Sequence, residues 1–490
     1  MTVTRRTVLG GIAALAVPGT ARAQAAVRAQ GVGDLIAAAQ LGGQVGFVVV
    51  DPRAGKVLEA HNETVGMAPA STVKTITSLY ALESLGPEFR FPTRLIATGP
   101  VSGGQLRGDL ILSGGGDPTL STDDLADMAA RLAAAGVRRV TGRFLVWGGA
   151  LPYAEEICDD QPVHVGYNPA ISGLNLNFNR VCFEWKQGKG GYAVSMDARG
   201  AKAVPRVTGS EVTVTSRAAP LFTYARQNGR ERWTVAQGAL GKSGSRWLPV
   251  RDPAGYAGEV FRTLARGQGI DLPAPQRIGA APSGKVLVER GSAPLTPLLR
   301  DMMKHSTNLT AETIGMTTSL RLGQAAALGA SGAAMSGWFQ QRLGRGPARF
   351  VDHSGLGADN RIAPIEMVRA VALLGPRVGL RGLMKPFALR DANGRMEKDS
   401  RIKVDAKTGT LNFVSTLTGY ATVPGGRDLV FAIFTQDLAR RARSGREEQP
   451  KGGAAWVARS KNSAKSAARP MGVALRLSMR IAPGCAVGRR

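Results

Sequence analysis

A helix start flanked by two strands on one side and a long excursion on the other constrains this chain most. Val45 to Val50 and Lys56 to Ala60 read as two strands joined by a turn at Asp51 to Gly55. Pro69 then precedes Ser71-Thr72-Val73-Lys74, and Val73, Ile76, Leu79 and Tyr80 recur at helical spacing, so one face of this helix is expected to be buried. Residues three apart share a helix face. Ser71 and Lys74 therefore meet at the helix N-terminus, where unpaired backbone N–H groups favour developing negative charge.

The bland reading of Ser71 is a helix cap. The chemical reading is a nucleophile beside its base, because a serine hydroxyl needs a nearby base to attack a carbonyl at neutral pH. Two further motifs favour the chemical reading. Ser306-Thr307-Asn308 lies in a helical segment beginning at Leu295, and Lys407-Thr408-Gly409 lies on a strand near the end, followed by Thr410. Other matches fail on position. Ser400-Arg401-Ile402-Lys403 sits in a strand, Lys242-Ser243-Gly244 precedes Ser306, and Ser460-Lys461-Asn462 falls after the Lys-Thr-Gly motif.

Each part has a chemical use. Lys74 serves as base if burial and a neighbouring cation such as Lys407 destabilise its ammonium. Ser306 passes a proton to a leaving amine, and Asn308 holds a substrate amide. Lys407, Thr408 and Thr410 suit a terminal carboxylate, and the backbone N–H groups of Ser71 and Thr410 suit a tetrahedral oxyanion. Asp352 and Ser354, in the loop VDHSGL, are candidates for the border of the site or for turn chemistry. His305 and His353 are read as incidental, since Lys74 already supplies a base.

The order of these motifs, with the spans PASTVKTITSLYALESLGPEFRFPT, GDLILSGGGDPTL, NPAISGLNLNFNRV, VRDPAGYAGEVF, MMKHSTNLTAE, VDHSGLGADNRI and AKTGTLNFVSTLTGY, resembles the D-alanyl-D-alanine carboxypeptidase/endopeptidases among the low-molecular-mass class C penicillin-binding proteins. The likeness runs from about residue 43 to about residue 435. It implies an α+β transpeptidase-like domain, an antiparallel sheet flanked by helices, formed by residues 24–91 and 293–490. Between them it implies an inserted domain at 92–292, in which 185–250 reads as a nested β-rich module. The resemblance implies peptidoglycan stem peptides and β-lactam antibiotics as ligands, Gly409 within the substrate-binding strand, and neither metal nor cofactor. Two departures stand out: Thr307 where the family usually has Asp, and Thr435-Gln436-Asp437 after the last strand. The rival readings are a serine β-lactamase-like hydrolase and a non-catalytic exported wall-binding protein.

Composition limits the partners. Lys and Arg number 63 against 36 Asp and Glu, a net charge of +27, which suits an anionic polymer such as cell wall or reflects a general bias toward Arg. No nucleic-acid-binding signature or phosphate loop supports a nucleic-acid partner; Gly114-Gly115-Gly116 lacks a following Lys-Ser/Thr and is flanked by Asp117. Arg5-Arg6, an apolar run from Val8 to Val17 and Ala21-Arg22-Ala23 read as a cleavable twin-arginine-like export signal over 1–23, so a periplasmic or otherwise exported mature chain is expected. The apolar run is too short for a stable transmembrane anchor. Cys158 and Cys182 are either paired or free in that oxidising setting, with Cys485 left over. The sequence leaves the oligomeric state open.

Overall fold

The computed structural model describes residues 43–443 except 326, 390–395, 398 and 399, together with Gly33, Ile36 and Ala37. The expected export signal, Cys485, the Ser460-Lys461-Asn462 match and the basic tail lie outside the described residues.

The two N-terminal strands, Gln44–Asp51 and Lys56–His61, form one edge of a six-stranded sheet. It continues through Asp428–Gln436, Val414–Thr422 and Lys403–Leu411 to the short strand Lys385–Pro386, with every neighbouring pair antiparallel. Alternation along these strands builds two cores. Val48, Val430, Ala432 and Phe434 face a cluster of helices, whereas Phe47, Val49, Leu429, Phe431 and Ile433 face a second cluster with Val404, Leu417 and Ala421. The near-continuous apolar run of Asp428–Gln436 follows from both faces being covered.

Against the helical side lies the Val73–Leu85 helix, called the lysine helix below. The expectation of one buried face is corrected here: every residue from Val73 to Leu82 is buried, including Lys74, Thr75, Thr77 and Ser78. Two of the buried hydroxyls of this helix are satisfied, while Thr75 Oγ1 has no partner among the described residues. Thr77 Oγ1 donates to His353 O at 2.7 Å and Ser78 Oγ to Lys74 O at 2.7 Å. The segment from Leu295 is likewise not one helix. Leu295–His305 ends at Ser306, whose φ of +59° is left-handed, and Asn308–Arg321 begins two residues later.

Residues 92–291 carry a five-stranded mixed sheet in the order Pro275–Arg277, Phe144–Trp147, Leu110–Gly114, Pro92–Ala97, Lys285–Gly291, packed with the helices Thr122–Ala134 and Pro253–Gly267. Two three-stranded sheets occupy most of 180–249; their Phe183, Trp233 and Val235 join the same buried cluster as Leu95 and Phe261. Between Trp147 and Asn177 the chain runs without helix or strand. Its ends are tied where Ala154 and Ile171 exchange backbone hydrogen bonds of 3.2 and 2.8 Å, which closes residues 154–171 into a loop. Ile157 and Ile171 pack on Leu309, Met316 and Leu356, so this loop lies against the Asn308–Arg321 helix. Cys158 and Cys182 are free thiols and form no disulfide with each other.

Candidate active site

Ser71 sits on a single 3₁₀ turn, Ala70–Thr72, that opens directly into the lysine helix. Ala70 has a φ of +47°, an uncommon conformation for a residue with a Cβ. Neighbouring backbone fixes the turn. Thr416 Oγ1 donates to Pro69 O at 2.7 Å, and a Cβ placed on Gly355 would lie 1.9 Å from Ala70 O. Gly409 needs to be glycine for a similar reason: a Cβ there would lie 2.2 Å from Thr416 Oγ1 and 2.8 Å from Ser71 N. The strand bearing Lys407-Thr408-Gly409 thus presses its backbone against the turn bearing Ser71.

Lys74 is fully buried, and its Nζ reaches three oxygens: Ser71 Oγ at 3.0 Å, Asn308 Oδ1 at 2.8 Å and Ser354 O at 2.7 Å. Burial lowers its ammonium to about 8, against the opposing pull of Glu312 and Asp352. Across the cleft, Lys407 Nζ donates to Ser306 Oγ at 3.0 Å and to Thr408 O at 2.6 Å. Burial, with the cations of Lys74 and Lys385, holds Lys407 well below the usual lysine range. The left-handed Ser306 costs backbone strain of about 1–3 kcal/mol. The break it makes turns its hydroxyl toward Lys407 and starts a new helix at Asn308.

Three segments far apart in sequence therefore bring Ser71, Lys74, Ser306, Asn308, Lys407, Thr408, Gly409 and Thr410 to one place. Thr408 is half-buried and Thr410 exposed on the same strand. Asp352 and Ser354 are placed differently from a rim. Both are buried behind Lys74; Ser354 contributes its carbonyl, and Asp352 accepts from the N–H groups of Gly355 at 2.7 Å and Gly357 at 2.6 Å. His353 is buried, held to about 3 by burial, and bonded through Nε2 to Ser331 Oγ at 2.7 Å, while His305 is exposed.

Over residues 29–459 the chain matches the D-Ala-D-Ala carboxypeptidase 3 (S13) family. The chain belongs to this family. A D-alanyl-D-alanine carboxypeptidase from Actinomadura sp. is 30% identical over 424 residues, covering 79% of this chain and 77% of that protein. The D-alanyl-D-alanine carboxypeptidase DacB of Haemophilus influenzae is 26% identical over 423 residues, covering 82% and 87%. In fold, the chain is similar to the crystal structure of penicillin binding protein 4 (dacB) from Haemophilus influenzae, with a TM-score of 0.71 at 21% identity over 91% of this chain and 99% of that one. This S13 peptidase is a serine-type D-Ala-D-Ala carboxypeptidase with a mixed α/β fold of several sheets.

Three further residues that hold the candidate site together are weakly marked or unmarked in the sequence. Glu312 is fully buried and accepts from the N–H groups of His353 at 2.9 Å and Ser354 at 2.8 Å, which aims the Ser354 carbonyl at Lys74. Burial, then the neighbouring Asp352, pushes its carboxyl up. Its signal was present: it lies one helical turn after Asn308. Thr416 carries a weaker signal, two residues into the next strand. Tyr167 carries none, because it acts through its backbone carbonyl, which accepts from Asn308 Nδ2 at 3.0 Å.

Proposed function

We infer that Ser71 is the acylated nucleophile, Lys74 its base, Ser306 the proton donor to the leaving amine, and Asn308, Lys407, Thr408, Gly409 and Thr410 the substrate-binding groups. The observation that carries this reading is the set of partners at Lys74 Nζ. A neutral amine has two N–H bonds and one lone pair. Asn308 Oδ1 and Ser354 O accept the two N–H bonds, so the lone pair is left for the Ser71 hydroxyl. Ser71 Oγ gives its proton to Lys74 as it attacks the carbonyl of the penultimate D-Ala of a peptidoglycan stem peptide.

The resulting oxyanion lies between the backbone N–H groups of Ser71 and Thr410, which the contact at Gly409 brings close. Lys407, with Thr408 and Thr410, holds the terminal carboxylate. Ser306 Oγ delivers a proton to the departing D-Ala amine and recovers one from the Lys407 ammonium that donates to it; water then hydrolyses the acyl-enzyme, its proton restoring Lys407 while Lys74 returns the first proton to Ser71 Oγ. The same attack on a cross-linked stem peptide is DD-endopeptidase activity. A β-lactam acylates Ser71 because its amide mimics the D-Ala-D-Ala bond; penicillin binding protein 4 from Haemophilus influenzae is known in complex with a β-lactam.

The division into a catalytic domain (24–91 and 293–490) and an inserted domain (92–292) belongs to this reading. So does export of the mature chain, where a basic protein meets an anionic wall; among the described residues no helix is long and apolar enough to cross a membrane. Incubation with a stem pentapeptide and with a cross-linked dimer, followed by product masses, tests the reading. Loss of one alanine or scission of the dimer supports it, and intact substrates contradict it.

A further inference from the structure

The orientation of the Asn308 amide is fixed from both ends. Tyr167 O is an acceptor only, so Nδ2 must face it, and Oδ1 then faces Lys74. The orientation matters most when Lys74 is neutral. A flipped amide would offer Nδ2 to the amine lone pair and compete with the Ser71 hydroxyl. A carbonyl opposite Lys74 removes that alternative.

Tyr167 lies in the loop 154–171, which has no regular structure to hold it. Irregular loops of this length within a compact fold are commonly functional. Its brace is Arg251, only 3% exposed, which enters from the end of the Ser243–Pro249 strand. Its Nη1 donates to Glu155 O at 2.7 Å and Asn168 O at 2.9 Å, and its Nη2 to Val163 O at 3.2 Å. The Asn168 carbonyl belongs to the residue directly after Tyr167. Within the loop, Asn168 Oδ1 accepts from the N–H groups of Ile157 and Cys158. The Arg251 backbone is held in turn, its N–H donating to Glu231 Oε1 at 2.6 Å. A guanidinium this buried is costly to desolvate, and three loop carbonyls with the Glu156 carboxylate at 3.5 Å offset that cost.

We propose that Arg251 is a positioning residue for the acylation step: it braces the 154–171 loop so that the Tyr167 carbonyl pins the Asn308 amide and keeps the Lys74 lone pair free for Ser71. This rests on Lys74 acting as the base. The test is a double-mutant cycle between Arg251→Met and Asn308→Ala in the full chain, read as the rate of covalent labelling by a fluorescent penicillin and accompanied by thermal unfolding. Arg251→Met is expected to slow labelling about tenfold in the parent and to have almost no further effect once Asn308 is alanine. Effects that multiply in the double variant overturn the proposal, because a merely structural loss would act in both backgrounds. If Asn308→Ala alone leaves labelling unchanged, the assignment of Asn308 to the site fails, and the proposal with it. Should Arg251→Met not fold, Arg251→Lys carries the same cycle: it retains the charge but not the three-carbonyl fork.

Discussion

Gly409→Ala is the sharpest probe of how this site is held together. An alanine Cβ there would lie 2.2 Å from Thr416 Oγ1, 2.8 Å from Ser71 N and 2.9 Å from Pro69 O, whereas ordinary contacts begin near 3.4 Å. The Thr416 hydroxyl is not free to yield, because it donates to Pro69 O at 2.7 Å. Reaching ordinary contact takes about 0.6 Å of separation from Ser71 N and about 1.2 Å from Thr416 Oγ1, at an overpacking cost of about 1–3 kcal/mol. That separation moves the Ser71 N–H away from the Thr410 N–H, and a displacement near 1 Å costs about 10²-fold in rate. The assay is the second-order rate of labelling by a fluorescent penicillin, with thermal unfolding to show that the variant is folded. A folded Gly409→Ala protein labelled within about twofold of the parent rate would refute the reasoning, since the contact would then have no catalytic consequence.

Further expectations follow from the same geometry. Lys74 must be neutral to accept the Ser71 proton and burial holds it at about 8, so labelling should rise with pH to a plateau above that value and fall about tenfold per unit well below it; a flat profile contradicts the base assignment. Ser306→Ala should slow peptide turnover by about 10²-fold as measured by D-Ala release, because the leaving amine loses its proton donor; an unchanged rate removes Ser306 from the mechanism. In Gly315→Ala the new Cβ would lie 2.1–2.4 Å from atoms of the buried His353 ring, and thermal unfolding should show a loss of about 1–3 kcal/mol, whereas an unchanged midpoint would mean the ring is free to move.

The juxtaposition of the candidate residues was legible because they stand at short spacing: Ser71 with Lys74, Ser306 with Asn308, and Lys407 through Thr410. The first two strands and the one bearing Lys407 were legible for the same kind of reason, since alternation and turn residues mark them locally, whereas the two-residue strand Lys385–Pro386 is too short to show a pattern. Burial was harder to read. The lysine helix has an ordinary one-face pattern, yet Thr77 and Ser78 are buried too because their hydroxyls find carbonyl partners, and Thr75 is buried although its hydroxyl has no partner among the described residues. The helix break at Ser306 was also hidden, as no glycine or proline announces the left-handed turn. Backbone contributors are silent in any sequence. The carbonyls of Tyr167 and Ser354 hold Asn308 and Lys74, and a carbonyl belongs to every residue type. For Asp352 and Ser354 the sequence leaves a border of the site or turn chemistry open; Asp352 does the latter, accepting from Gly355 and Gly357 N–H, and the packing of Gly355 against Ala70 O places both residues behind Lys74.

Ser71 Oγ is expected to be the atom acylated. Reacting the protein with benzylpenicillin, digesting it and locating the adduct by mass spectrometry tests this directly. One adduct is expected, on the peptide containing Ser71, and it should be lost in Ser71→Ala. An adduct on Ser306 or elsewhere, or labelling that survives Ser71→Ala, would contradict it.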